Sequence, residues 1–273
     1  MYLDYWQLDA KPFEPHCAPQ FVVASPGRLA AQHKLRYVLD NRRSAAVLAG
    51  LPGVGKTDLA AALADEADAS LGPFLPVVFP QMSDRELLVF LAEQFGAPPA
   101  EVPRHTVEES LRRLEFVLRE NSRRGRHAVV VVDEAHLLED AGLVEPLRLL
   151  LNLTGPRREG LLTLLLVGQP TVLPMLARYP AFDQRIDVKA ILHPFTLEET
   201  TRYVLGRLHA AGATREIFTE EAVTAVHQLA AGTARRINRL CDLALLVGYA
   251  SQCDVIDAPQ VQAVSDDLVV VPA

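Results

Sequence analysis

Cysteine and lysine are scarce in this sequence of 273 residues. Cysteine occurs only at Cys17, Cys241 and Cys253, and no pair has the Cys-x-x-Cys spacing. That argues against a disulfide framework and a zinc site, and fits a reducing compartment. Lysine stands only at positions 11, 34, 56 and 189, so Lys56 is not one of many interchangeable cations. No apolar run approaches the ~20 residues that a membrane span requires. The opening stretch, with Tyr2, Leu3, Asp4, Tyr5 and Trp6, has neither the basic region nor the apolar core of a signal peptide. A cytoplasmic location is therefore expected. Positive charge is in deficit, with 27 Lys and Arg against 34 Asp and Glu and a net charge of −7. That disfavours generic nucleic-acid affinity and leaves room for a local basic patch. The remainder is ordinary for a soluble globule, at 49% apolar and 22% charged residues. The length suits one large domain, or one domain with a smaller companion.

What is present is more specific. Gly50, Leu51, Pro52, Gly53, Val54, Gly55, Lys56 and Thr57 form a complete G-x-x-x-x-G-K-[ST] phosphate loop. Glycines let the backbone curl so that successive N–H groups point at phosphate oxygens. In such a loop the lysine reaches the β- and γ-phosphates and the hydroxyl ligates magnesium, which assigns Lys56 and Thr57. By average residue frequencies the pattern arises by chance in about one chain in a hundred of this length. Its context lowers those odds. Residues 44–49 read as a buried strand entering the loop, and residues 59–64 as the helix leaving it. That helix adds its positive end to the same anion. ATP with Mg2+ is the ligand these residues predict. A Rossmann dinucleotide site would need glycine at position 58, where Asp58 stands.

Along the chain, residues 1–27 form an arm rich in proline and aromatics, including Trp6 and Phe13, expected to pack on the core. Residues 28–42 read as an amphipathic helix. Strand signals follow at 44–49, 76–79, 128–132, 161–167 and, more weakly, 186–192, with helical patterns at 83 onward and 106–121 between them. The alternation predicts an α/β fold: a three-layer αβα core, residues 28–193, around a five-stranded parallel sheet. Pro146 is expected to kink a helix. After Pro194 the period is helical at 197–211, 219–230 and 236–250, predicting a small helical domain and tail over 194–273. A last strand-like run stands at 269–271.

The valine run 129–132 ends in Asp133 and Glu134. Asp133 stands where a magnesium carboxylate belongs. Glu134, one residue on, is expected by strand alternation to point to the other side and to polarise a water for in-line attack. The plain alternative is a strand end with solvated acids. Gln169 ends the next apolar run, where an amide can read the γ-phosphate or hold the attacking water; a simple loop start is the alternative. Asp133-Glu134-Ala135-His136 also spells the box of one helicase class, but those enzymes pair two αβ domains. His136 is accordingly read as a loop residue.

These residues, with a late arginine and a helical C-terminal part, resemble the AAA+ ATPases. Several stretches resemble more narrowly the ATPase domain of the general secretion pathway A family: Met1–Trp6 with Lys11-Pro12-Phe13, Leu166 to Pro170, Gln184-Arg185-Ile186, and Gly232 to Asn238. ATPases of exopolysaccharide loci and of transposition share these marks. The resemblance implies a helical lid, and makes Gln169 a sensor 1 residue, Arg185 an arginine finger acting in trans and Arg235 a sensor 2 residue. A finger in trans implies a homo-oligomer. The alternative for Arg185 is a surface arginine paired with Asp183 or Asp187; for Arg235, a solvated basic helix start. Asp58 and Ala234 depart from the family's usual residues.

The expected function is hydrolysis of Mg-ATP, bound between sheet edge and lid, coupled to lid and subunit rearrangement on a protein partner, with a membrane-associated protein among the candidates. A slowly hydrolysing nucleotide switch and an ATP-dependent, DNA-binding transposition accessory are the alternatives. The basic clusters Arg112-Arg113, Arg123-Arg124-Arg126 and Arg157-Arg158 read as solvated faces that would track DNA only if they converged.

Overall fold

The computed structural model describes residues 2–14, 25–78, 82–99, 106–155 and 159–269. Phe79, the pair Arg157-Arg158 and residues 270–271 of the last strand-like run lie outside them. The chain runs α1 (Tyr2–Trp6), α2 (Pro26–Asp40), β1 (Ala45–Gly50), α3 (Lys56–Asp65), β2 (Leu71–Val77), α4 (Asp84–Gln94), α5 (Val107–Arg123) and β3 (His127–Val132). A 3₁₀ turn (Ala135–Leu137) leads to α6 (Val144–Leu150), β4 (Leu162–Gly168), α7 (Val172–Ala177), α8 (Pro180–Asp183) and β5 (Ile186–Leu192). The helices α9 (Leu197–Ala210), α10 (Glu220–Ala230), α11 (Ala234–Ala250) and α12 (Ala258–Val269) complete it.

Two compact units result. One comprises Arg28–Leu51 and Lys56–Leu192; the other comprises Met1–Gly27, Pro52–Gly55 and His193–Ala273. The first is the α/β unit. Its five strands are all parallel, in the order β2-β3-β4-β1-β5. Every residue of β1, β3 and β4 is buried, as their continuous apolar runs require of central parallel strands. The edge strands β2 and β5 alternate instead. Pro73 and Pro76 sit in β2, at the edge, where a missing N–H leaves no ladder position unpaired on both sides. Both α4 and α5 start with the reciprocal Ser/Thr–Glu capping box, at Ser83 and Glu86 and at Thr106 and Glu109. Pro146 does not kink a helix. It falls in the first turn of α6, where no intrahelical N–H bond is lost.

The second unit is helical, and two expectations change there. Residues 258–269 form a full helix, α12, where a tail was expected. The described residues of the N-terminal arm are buried within the helical unit, where packing on the core was expected. Trp6, Leu8 and Phe13 are buried among Tyr203, Leu208, Phe218 and Leu245 of the helical unit. The Trp6 indole N–H donates to the Leu245 carbonyl at 2.9 Å, and the Tyr5 hydroxyl to that of Cys253 at 2.8 Å. The buried Arg207 guanidinium holds the segment's far end by donating to the carbonyls of Pro12 and Glu14. Aromatic rings with polar handles need both burial and a carbonyl acceptor, and helix α11 with the turn that follows it supplies both.

Candidate active site

Parallel strands bring all their C-terminal ends to one edge of the sheet. β1, β3 and β4 are the three central neighbours, with Ala49 level with Gly168 and Val132 level with Leu166. The residues that follow them therefore meet, at the switch point where ligands bind in such sheets. These are the phosphate loop after β1, Asp133 and Glu134 after β3, and Gln169 after β4.

The loop curls as its glycines demand, with positive φ of 78° at Gly53 and 94° at Gly55. The Lys56 ammonium turns back over it, donating to the carbonyls of Gly50 and Leu51 at 3.0 Å each, and is only 9% exposed. The Thr57 hydroxyl donates to Asp133 Oδ2 at 2.9 Å. This contact joins residues 76 positions apart and brings together the hydroxyl and the carboxylate that the sequence nominated for one metal. Two adjacent, exposed oxygen ligands suit a hard divalent cation such as Mg2+, which keeps several waters. Asp58 lies exposed in the first turn of α3.

Glu134 departs from the expectation. β3 ends at Val132, so strand alternation no longer governs the side chain. Glu134 instead adopts a left-handed backbone, φ 49° and ψ 36°, and opens the 3₁₀ turn. Its N–H donates to Asp133 Oδ1 at 2.8 Å. A non-glycine residue held there stores strain of order 1 kcal/mol, which clusters at functional sites. Its carboxylate is half exposed and lies 3.3 Å from His136 Nδ1. The other ring nitrogen of His136 is 3.2 Å from the Gln169 amide nitrogen. Residues 134, 136 and 169 thus form a chain of polar contacts. The sequence reading missed His136, although its placement two residues beyond Glu134, in a turn that cannot extend the strand, was the available signal.

The turn is fixed from two sides. Gly168 has no side chain, and a Cβ there would lie 3.1 Å from the His136 backbone nitrogen, so β4 and the turn approach closely. Farther along, Glu139 pairs with Arg178, whose hydrogen bond is the main cause that holds the Glu139 carboxyl below its usual range. The Tyr179 hydroxyl donates to the same carboxylate at 3.3 Å.

The two arginines stand elsewhere. Arg185 immediately precedes β5, at the opposite edge of the parallel sheet from Thr57 and Asp133. Its guanidinium donates to the Leu151 carbonyl at 3.4 Å and to Asn152 Oδ1 at 2.8 Å. Neither Asp183 nor Asp187 is its hydrogen-bonding partner; Asp183 pairs with Lys189, and Asp187 accepts from the Ser44 backbone at 3.2 Å. Arg235, exposed at the start of α11, donates its backbone N–H to the Gly53 carbonyl at 3.0 Å within the helical unit's grouping. A Cβ at Gly53 would sit 2.9 Å from Arg235 Cβ, a second reason for glycine there.

A family model described as an AAA domain matches residues 39–176, which contain the phosphate loop, Asp133, Glu134 and Gln169. Over 258 residues the chain is 32% identical to general secretion pathway protein A of Aeromonas hydrophila, covering 92% of this chain and 45% of that protein. The chain therefore spans under half the length of that curated relative. Among solved structures, the Aeropyrum pernix ORC2 protein matches with a TM-score of 0.72 at 17% identity, over 97% of this chain and 73% of the other. Cdc6p from Pyrobaculum aerophilum matches with a TM-score of 0.72 at 18% identity, over 96% and 72%. At those identities the likeness establishes the fold. With the AAA domain model matching half of its length, this chain belongs to the AAA family of ATPases.

Proposed function

We propose that this chain hydrolyses Mg-ATP within a homo-oligomer and uses the cycle to rearrange its helical lid and its subunits on a protein partner of a secretion or export system. The observation that carries the reading is the 2.9 Å contact between Thr57 Oγ1 and Asp133 Oδ2 at the end of the phosphate loop. Thr57 and Asp133 would hold magnesium, which when bound neutralises charge on the phosphates. The loop amides and Lys56 bind and orient the triphosphate. Glu134 orients the attacking water and takes up its proton at the carboxylate. Gln169 faces the γ-phosphate, and Arg235 answers nucleotide state from the lid.

Arg185 serves a neighbour's nucleotide. In its own chain it is separated from Thr57 by the length of a strand, about 20 Å at 3.3 Å per residue. Its guanidinium, a rigid fork of donors, suits the charge of a phosphoryl group in transfer. The secretion assignment rests on the relative from Aeromonas hydrophila, whose name carries that pathway. Among the described residues no helix is long and apolar enough to cross a membrane. The DNA-binding alternative has less support: on α5, Arg112, Arg119 and Arg123 pair with Glu108, Glu115 and Glu120 of the same helix.

The test is steady-state turnover of Mg-ATP by Glu134→Gln against wild type. We expect a fall of about a hundredfold with ATP affinity retained, within the range of general-base catalysis. Equal slow rates in both proteins would replace the ATP-driven reading with that of a nucleotide switch.

A further inference from the structure

The geometry points to His136 as a positioning residue that couples the Gln169 amide to the Glu134 carboxylate. The inference rests on the ATPase reading and adds to it a residue that sets how Glu134 is aimed.

Four observations carry it. The His136 side chain is 15% exposed, so its ring is held rather than solvated. Its Nε2 meets the Gln169 amide nitrogen at 3.2 Å. An amide N–H can only donate, so Nε2 must offer its lone pair there. The proton of the neutral ring then sits on Nδ1. Nδ1 in turn lies 3.3 Å from Glu134 Oε2, yet its direction falls short of a completed hydrogen bond, and the buried atom has no other partner among the described residues. A buried donor without a partner is costly, so the N–H pulls the carboxylate toward it. Finally, the backbone at Glu134 is left-handed, and the turn is pinned by Gly168 and by the Arg178–Glu139 pair. The imidazole is thus fixed at its base while its two nitrogens face the side chains of Gln169 and Glu134.

The consequence is a mechanical link. While the Gln169 amide donates to Nε2, the Nδ1–H holds the Glu134 carboxylate in its working orientation. With the ring so anchored, the Glu134 carboxylate stays aimed at the attacking water, and the second amide N–H of Gln169 remains available to a γ-phosphate. His136 itself touches neither phosphate nor water. No bond is made or broken in this step, and the imidazole keeps its proton throughout.

The test uses the shape of amide side chains. In His136→Asn the amide nitrogen falls near the position of Nδ1 and keeps the arm to Glu134. In His136→Gln the amide falls near Nε2 and keeps only the arm to Gln169. Measured as kcat and KM for Mg-ATP in the full chain, His136→Ala and His136→Gln should lose about tenfold in kcat with KM changed less than twofold. His136→Asn should recover most of the wild-type kcat. Affinity for a non-hydrolysable ATP analogue, measured by calorimetry, should stay within twofold in all three, which also reports that they fold. In the double variant His136→Ala with Gln169→Ala, the loss should be smaller than the product of the two single losses.

If His136→Asn and His136→Gln lose equally, or if His136→Ala keeps wild-type kcat, the link is refuted while the ATPase reading stands. If the His136 variant fails to fold, the Asn and Gln contrast still decides. If wild type neither binds nor turns over Mg-ATP, the parent reading falls and this one with it.

Discussion

Lowering the pH from 7 to 4 should cost the α/β unit about 3 kcal/mol of stability through one side chain, His127. It opens β3 and is 2% exposed. Its Nε2 lies 2.9 Å from Thr163 Oγ1, whose own hydroxyl donates to the Arg43 carbonyl. Thr163 is therefore an acceptor toward the ring, and His127 is neutral with its proton on Nε2. Burial first, and then the nearby Arg42 charge, pushes the His127 pKa from 6.5 to about 4. The unfolded chain takes up a proton near 6.5 that the folded chain refuses until about 4. The unfolded state thus binds more protons across that window, and stability rises with pH through it. The contribution is complete above 6.5, is lost as pH falls toward 4, and levels off below. At 1.36 kcal/mol per pKa unit, the gap between 6.5 and about 4 gives the ~3 kcal/mol. The comparison protein is His127→Gln, which retains a donor near Thr163 and does not ionise. Carboxylates titrate alike in both, so the difference between them isolates the ring. Trp6, the only tryptophan, lies in the helical unit and would report the wrong transition. The assay is urea unfolding read by hydrogen exchange of β3 and β4 amides at pH 7, 5.5 and 4. Wild type should lose about 3 kcal/mol relative to the variant across that range. A difference that does not change with pH would show that His127 is protonated freely in the folded chain and would refute the reasoning.

Two further outcomes follow from the geometry. Trp6→Ala should destabilise the helical unit by about 3–5 kcal/mol, the usual cost of truncating a fully buried tryptophan, seen as a lower thermal midpoint by circular dichroism. A change under 1 kcal/mol would mean the arm is not part of that unit's core. For Arg185, mixing Lys56→Ala with Arg185→Ala, each inactive alone, should restore a measurable fraction of turnover, because mixed interfaces would pair an intact loop with an intact arginine. No recovery at any ratio would place the arginine's role in its own chain or remove it altogether.

The sequence determined the phosphate loop, the acids that end the valine run and the strands that carry them. The reason is local: a loop that curls around phosphate needs glycine where φ is positive, and a central parallel strand must be apolar on both faces. Those demands are written at fixed spacings, so positions 50–57, 129–134 and 164–169 could be read directly. The capping boxes at Ser83 and Thr106 obey the same kind of local rule. Tertiary structure decided what depends on partners distant in the chain. The arm's aromatics announced burial, but only the carbonyls of Leu245 and Cys253 fixed which unit buries them. The direction of Glu134 followed from the end of β3 at Val132 and a left-handed turn, which alternation along a strand does not contain. His136 came within reach of Gln169 only because a glycine on a neighbouring strand lets its turn close there. A motif specifies the geometry of its own backbone; a contact across strands is specified by the space the other strand leaves.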